Sequence, residues 1–395
     1  MKNNKGFNLL TVIIIICATS IISAITVGVI VNNGYKNNQN INYRALANDA
    51  ALKDFLEAYS NITDNYYEDI DKEKMLDKAI DAMLRYLDET YTTYLNDNEK
   101  KVLEEKLSGT YEGIGIEIRE NEIVNVLKNS PAEKAGIKSG DRIISINDTD
   151  VTEQSANYIS VLIKTNSDKP IEIKVLREED QLTFWVSVET ITSKDIEYEV
   201  KDNNIGYLGI KIFSKTLTDQ VRDALLELET QNIKGLIIDL RGNTGGYLDT
   251  AEGVASLFLE KGKLIYSLED KDSKNDYYDQ TATKREYPIV VILNASSASA
   301  SEILAAALKD SYGAVIVGEK SYGKGKVQQT FNLKDGSMAK YTSAKWLRPN
   351  GVCIDGVGIN PDYPIDLYVE YDEEGNIIAV KDTQLEKAIE VLGTM

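Results

Sequence analysis

A chain of 395 residues has room for about two or three domains, and with 43% hydrophobic and 27% charged residues it can bury a core. Its 44 lysines and arginines stand against 63 aspartates and glutamates, and the net charge of −19 argues against nucleic acid as a partner. Histidine is absent and cysteine occurs only at Cys17 and Cys353, which removes imidazole catalysis, His- or Cys-ligated zinc and any disulfide framework.

Residues 1–8 carry Lys2 and Lys5 and read as a short cytoplasmic tail. Residues 9–31 hold no charged side chain, and at about 1.5 Å per residue they span a hydrocarbon layer of roughly 30 Å. This is the expected membrane anchor, with the body outside the cytoplasm. A cleaved signal peptide is the alternative, although its apolar region is usually shorter. The Asn-rich residues 32–44 form a linker.

Between residues 45 and 107 apolar side chains recur at helical spacing, among them Leu52, Phe55, Leu56, Leu76, Ile80, Met83 and Leu87. Two or three amphipathic helices are expected there, serving packing or dimerisation rather than chemistry.

Residues 108–190 change to short runs of period two, GIGIEI, IVNVL, DRIISIN, IEIKVLR and LTFWVSV, which predict a β-rich domain. The stretches YEGIGIEI and SPAEKAGIKSGDRI and the helix around Tyr158 to Lys164 together resemble a PDZ domain. The resemblance implies that backbone N–H groups from Glu112 through Gly113, Ile114 and Gly115 to Ile116 hold a peptide's C-terminal carboxylate. The peptide would then add as a strand.

From residue 191 to about 370, strands and helices alternate, predicting an α/β layer on a largely parallel sheet. Residues 371–395 add a hairpin and a helix. The acidic stretch SLEDKDSKNDYYD is expected to be a solvated loop and fails as a calcium loop, since Lys274 and Asn275 occupy a ligand and the glycine position.

Three loops follow three strands: Arg241 to Gly246, Ala295 to Ser301 and Glu319 to Lys326. In a parallel sheet all three emerge at the C-terminal edge, where ligands bind. A helix of about eleven residues from Ser299 descends roughly 16 Å, and an extended return of five residues covers about the same distance. Ser299 and Lys324 can therefore face each other. Without histidine, a serine nucleophile needs a base such as lysine, its pKa brought down by burial. Ser296, Ser297 and Ser301 compete with Ser299, and Lys326 with Lys324. Ser299-Ala-Ser-Glu302 also fits a simple helix cap. The GxxxxGK match at Gly318 to Lys324 is no phosphate loop, because Gly325 replaces the magnesium ligand and a strand follows.

DLRGNTGG, SSASASEILAAALKD, VGEKSYGKGKVQ and DGVGINPD, in this order and spacing, resemble the C-terminal processing peptidases, or tail-specific proteases. The resemblance covers nearly the whole chain and implies a multidomain α/β architecture with a crotonase- or Clp-protease-like catalytic sheet. It implies Ser299 as nucleophile, Lys324 as base and Gln328 as the residue orienting it, with the N–H groups of Gly246 and Ala300 as oxyanion hole. It further implies an endopeptidase without metal or cofactor, acting on proteins with free C-termini, as a homodimer. Two departures stand out: Leu87-Asp88-Glu89 lacks the family's proline, and Lys345 to Gly351 replaces its YYTPSG stretch. A catalytically silent PDZ scaffold is the rival reading.

Overall fold

A computed structural model describes residues 48–166, 169–282, 284–371 and 377–395. The expected anchor, residues 9–31, lies outside the described residues. Among the described residues no helix is long and apolar enough to cross a membrane.

The chain divides into two compact units, Met1–Lys78 and Ala79–Met395. In the first, helix Ala50–Asn65 starts at Asp49, whose side chain accepts the Leu52 N–H at 3.1 Å, and it buries none of its residues. Helix Lys72–Tyr86 carries the chain across the boundary.

Within the second unit, a six-stranded antiparallel sheet runs in the order Ile116–Arg119, Glu122–Val126, Arg142–Ile146, Ile171–Arg177, Asp180–Val186, with the short strand Thr149–Asp150 also pairing Arg142–Ile146. Their inward positions, such as Ile123, Ile143, Ile173 and Val175, close on Ile159 and Ile163 of helix Ala156–Thr165. Alternation in the sequence thus became one buried face, as period-two patterning dictates. Strand Ile116–Arg119 pairs only with Glu122–Val126, so its other edge carries unpaired backbone groups.

The larger core is a six-stranded sheet in the order Ile196–Lys201, Ile205–Ile210, Gly235–Asp239, Ile289–Leu293, Val315–Gly318, Tyr363–Pro364. Its first pair is antiparallel and the rest are parallel. GLIID and IVVIL are buried at every position, as strands covered on both faces must be. Helices Leu217–Thr230, Leu248–Ala255 and Ala300–Ala307 pack into the core on one face. The C-terminal helix Thr383–Leu392 covers the other, setting Ala388, Val391 and Leu392 among Ile237, Val290, Ile292 and Val317. A bridge of charge fixes this helix: Arg241 binds Asp239 at 2.6 Å and Asp382 at 2.7 Å.

Two expectations are corrected. The acidic stretch is a hairpin, strands Leu264–Glu269 and Lys274–Tyr278, closed by Asp270 accepting the N–H groups of Asp272 and Ser273. Its outer strand is largely exposed and pairs on one side, so it can carry charge and still be a strand. The segment expected to be helical up to residue 107 contains strand Thr93–Leu95, which joins Met338–Leu347 in a second sheet.

Candidate active site

The three loops singled out in the sequence meet at one cavity of about 570 Å³, lined by Gly245, Gly246, Ser299, Ala300, Lys324, Gln328 and neighbours. Helix Ala300–Ala307 begins directly after Ser299, whose backbone adopts φ 57° and ψ −116°. For a residue with a Cβ this conformation costs about 1–3 kcal/mol, and it persists only where surroundings enforce it.

The enforcing group is Glu302. Its buried carboxylate accepts four hydrogen bonds: from Ser299 N–H at 2.8 Å, Ser321 Oγ–H at 2.6 Å, Gly323 N–H at 2.7 Å and Lys324 N–H at 2.9 Å. One side chain thereby fixes both the serine turn and the lysine loop. The competing serines are occupied elsewhere. Ser297 Oγ donates to Leu240 O at 2.8 Å and Ser301 Oγ to Asn243 O at 2.8 Å, both buried; Ser296 does not line the cavity.

The glycine loop lies against the serine turn. A Cβ built on Gly245 would come within 2.9 Å of Ser299 Cβ and 3.0 Å of the Ala300 nitrogen. One on Gly246 would meet the Phe213 carbonyl oxygen at 2.2 Å, so only glycine fits there. Asn243 holds the loop, donating to Ile210 O at 2.9 Å and accepting the Gly245 N–H at 2.9 Å. Among the described residues the N–H groups of Gly246 and Ala300 have no hydrogen-bond acceptor. They are two free donors in the cavity wall.

Lys324 reaches the cavity from the lysine loop, its carbonyl held by Trp346 Nε1–H at 2.9 Å. Burial, and then the charge of Lys340, push its ammonium below the usual lysine range, against the opposing pull of Glu89 and Glu302. Its Nζ lies over the Tyr91 ring, 4.5 Å from the centroid, a cation–π contact that favours the charged form. Tyr91 itself is pushed up to about 12 by burial and Tyr322, so it stays a neutral phenol rather than a base. Gln328 Nε2 donates to Thr342 Oγ1 at 3.3 Å, and Thr342 Oγ1 donates to Glu89 at 2.6 Å. Neither Ser299 Oγ nor Gln328 is hydrogen-bonded to Lys324 Nζ.

Residues 204–365 match Peptidase family S41, residues 111–188 match the PDZ domain, and residues 22–99 match the Activating protease CtpB N-terminal domain. The chain is 37% identical to carboxy-terminal processing protease CtpA of Bacillus subtilis over 329 residues, covering 82% of this chain and 71% of that one. CtpB of the same organism is also 37% identical, over 80% of this chain and 68% of that one. A probable CtpA-like serine protease of Staphylococcus epidermidis is 33% identical over 92% and 75%. This chain belongs to the carboxy-terminal processing protease family.

In this family member the sequence reading passed over two residues, Glu89 and Tyr91. Glu89 accepts from Thr92 Oγ1 at 2.9 Å and pairs with Lys326 at 3.3 Å, while Tyr91 underlies the lysine. Their only sequence signal was the departure at Leu87-Asp88-Glu89, which marked a turn without saying what it meets.

In the PDZ domain, Glu112, Gly113, Ile114, Gly115 and Ile116 all line a second groove of about 190 Å³, opposite Ile163 and Lys164. Lys164 is ion-paired with Glu105 of helix Asp97–Ser108.

The strain at Ser299 leads to a measurable expectation. Ser299→Gly should raise the melting temperature above that of Ser299→Ala, because glycine accepts positive φ that alanine resists by about 1 kcal/mol or more. Equal melting temperatures would show that the turn stores no strain.

Proposed function

We propose that this serine peptidase of the carboxy-terminal processing family is a membrane-anchored, extracytoplasmic endopeptidase using a Ser299–Lys324 dyad. Neutral Lys324 takes the proton of Ser299 as the oxygen attacks the peptide carbonyl, and the N–H groups of Gly246 and Ala300 bind the oxyanion. Lys324 then protonates the leaving amine, and water releases the acyl-enzyme with the lysine again as base. Gln328 orients the amine once Lys324 swings from Tyr91 toward Ser299. The observation that carries this reading is the single cavity lined by all five residues, beside two unpaired N–H donors. Digestion of casein by wild-type protein and not by Ser299→Ala tests it against the silent-scaffold reading.

The PDZ domain recruits substrate C-termini. Support comes from the groove beside the unpaired edge of Ile116–Arg119, which offers backbone donors next to an apolar pocket. A peptide ending in an apolar residue should bind at least about tenfold tighter than its C-terminally amidated twin. Equal affinities would remove carboxylate capture and leave the peptidase assignment standing.

Residues 9–31 anchor the chain, and protease added to wall-less cells should degrade its body. Protection until the membrane is breached would reverse the orientation. The helical segment pairs with a second copy: Phe55, Leu56 and Ile62 are exposed apolar side chains on a helix that buries none of its residues. Sedimentation of Phe55→Asp and Leu56→Asp variants as monomers, against a dimeric parent, checks this pairing.

A further inference from the structure

The catalytic cavity has the opposite charge to the protein around it. In a chain of net charge −19, Lys106, Lys324, Lys326 and Lys340 line it, against Asp249 as the one acid. Asp249 is turned to its own helix, where its carboxylate accepts the Thr250 N–H at 2.9 Å.

These lysines are not equivalent. Lys324 rests on Tyr91, and Lys326 is paired with Glu89 at 3.3 Å and Asp355 at 3.8 Å. Lys106 and Lys340 have no ion pair among the described residues, although on the helix of Lys106 both Lys100 and Lys101 are paired. Lys340 is half-buried on strand Met338–Leu347, opposite Thr330 on one side and Thr93 on the other. Directly opposed residues of paired strands share a face. Lys340 therefore stands on the face that holds Gln328 and Thr330, both cavity residues. Two like charges left uncompensated on the wall of one cleft, Lys340 half-buried and Lys106 exposed, attract a counter-charge into it.

We propose that Lys106 and Lys340 form a substrate carboxylate subsite, selecting peptides with a negative group within a few residues of the scissile bond. This rests on the peptidase reading above. The carboxylate belongs to an Asp or Glu side chain or to the free chain end, and the chemistry recognised is the same.

The test uses internally quenched peptides carrying Asp or Asn at each position flanking the cleaved bond, in free-acid and amidated forms. Substrates with the carboxylate in register should show a kcat/KM about three to ten times that of their neutral twins, weakening as salt is raised. In Lys340→Glu, and separately in the exposed Lys106→Glu, that ratio should fall to one or below. The ratio is insensitive to any general loss of activity in a variant. A preference in the Asp/Asn pairs assigns the subsite to a side chain, and one in the acid/amide pairs assigns it to the chain end. Ratios near one throughout, or ratios unmoved by both substitutions, overturn the subsite while leaving the peptidase standing. No hydrolysis of any peptide overturns the peptidase reading and the subsite with it.

Discussion

Lys324→Arg is expected to leave no measurable peptide hydrolysis at any pH the fold tolerates, a loss of at least about a thousandfold. Guanidinium keeps its charge beyond pH 12 and cannot accept the serine proton, and the chain contains no imidazole to take over. Lys324→Ala should be equally inactive, while both variants bind PDZ ligands normally. In the proposed mechanism the neutral amine of the wild type is the working form. Burial and Lys340 hold the lysine below its ordinary value of about 10.4, so activity should rise with pH through one ionisation beneath that value. Tyr91→Leu removes the contact favouring the charged form and should move that rise to lower pH. Substantial activity in Lys324→Arg would refute the general-base role.

Glu302→Gln is the second substitution with a large expected effect, and it reaches both stability and rate. Each carboxylate oxygen accepts two donors: Ser321 Oγ–H and Gly323 N–H on one, Ser299 N–H and Lys324 N–H on the other. An amide in either orientation points its NH₂ group at two of them. Burial without acceptors costs about 2–4 kcal/mol in unfolding free energy, readable from denaturant titration. The serine turn and the lysine loop lose their common tether, so kcat should fall at least about a hundredfold. Wild-type stability together with a wild-type rate would show that the clamp is dispensable.

That Ser299 and Lys324 line one cavity was legible because their loops sit at places the alternation of strand and helix already defines. GLIIDL, VVILN and AVIV announce buried parallel strands, and the residues after each must meet at one edge. Glu302 was visible too, though as half of a helix cap; its reach to the lysine loop, about twenty residues later, has no local pattern. Glu89 and Tyr91 were harder still. They touch residues far along the chain, Lys326 being 237 positions from Glu89, and no periodicity encodes such a pairing. The hairpin of Leu264–Glu269 and Lys274–Tyr278 was misjudged because an exposed edge strand tolerates the charge that elsewhere marks a loop. Gln328 does line the cavity with Ser299 and Lys324, yet its amide donates to Thr342.

The helix Thr383–Leu392 ties the closing of the sheet to the loop beside the cavity. Ala388, Val391 and Leu392 cap an otherwise complete sheet face carrying Ile237, Val290 and Ile292. Leu392 lies so close to the central strand that a methyl on Gly235 would approach its Cδ2 to 2.0 Å. Without this helix that face is open, and Arg241 at the rim of the glycine loop loses its partner Asp382. A variant truncated before Asp382 should therefore be protease-sensitive and inert even though Ser299, Lys324 and Glu302 are all present. Activity would then depend on a helix that contributes no residue to the cavity.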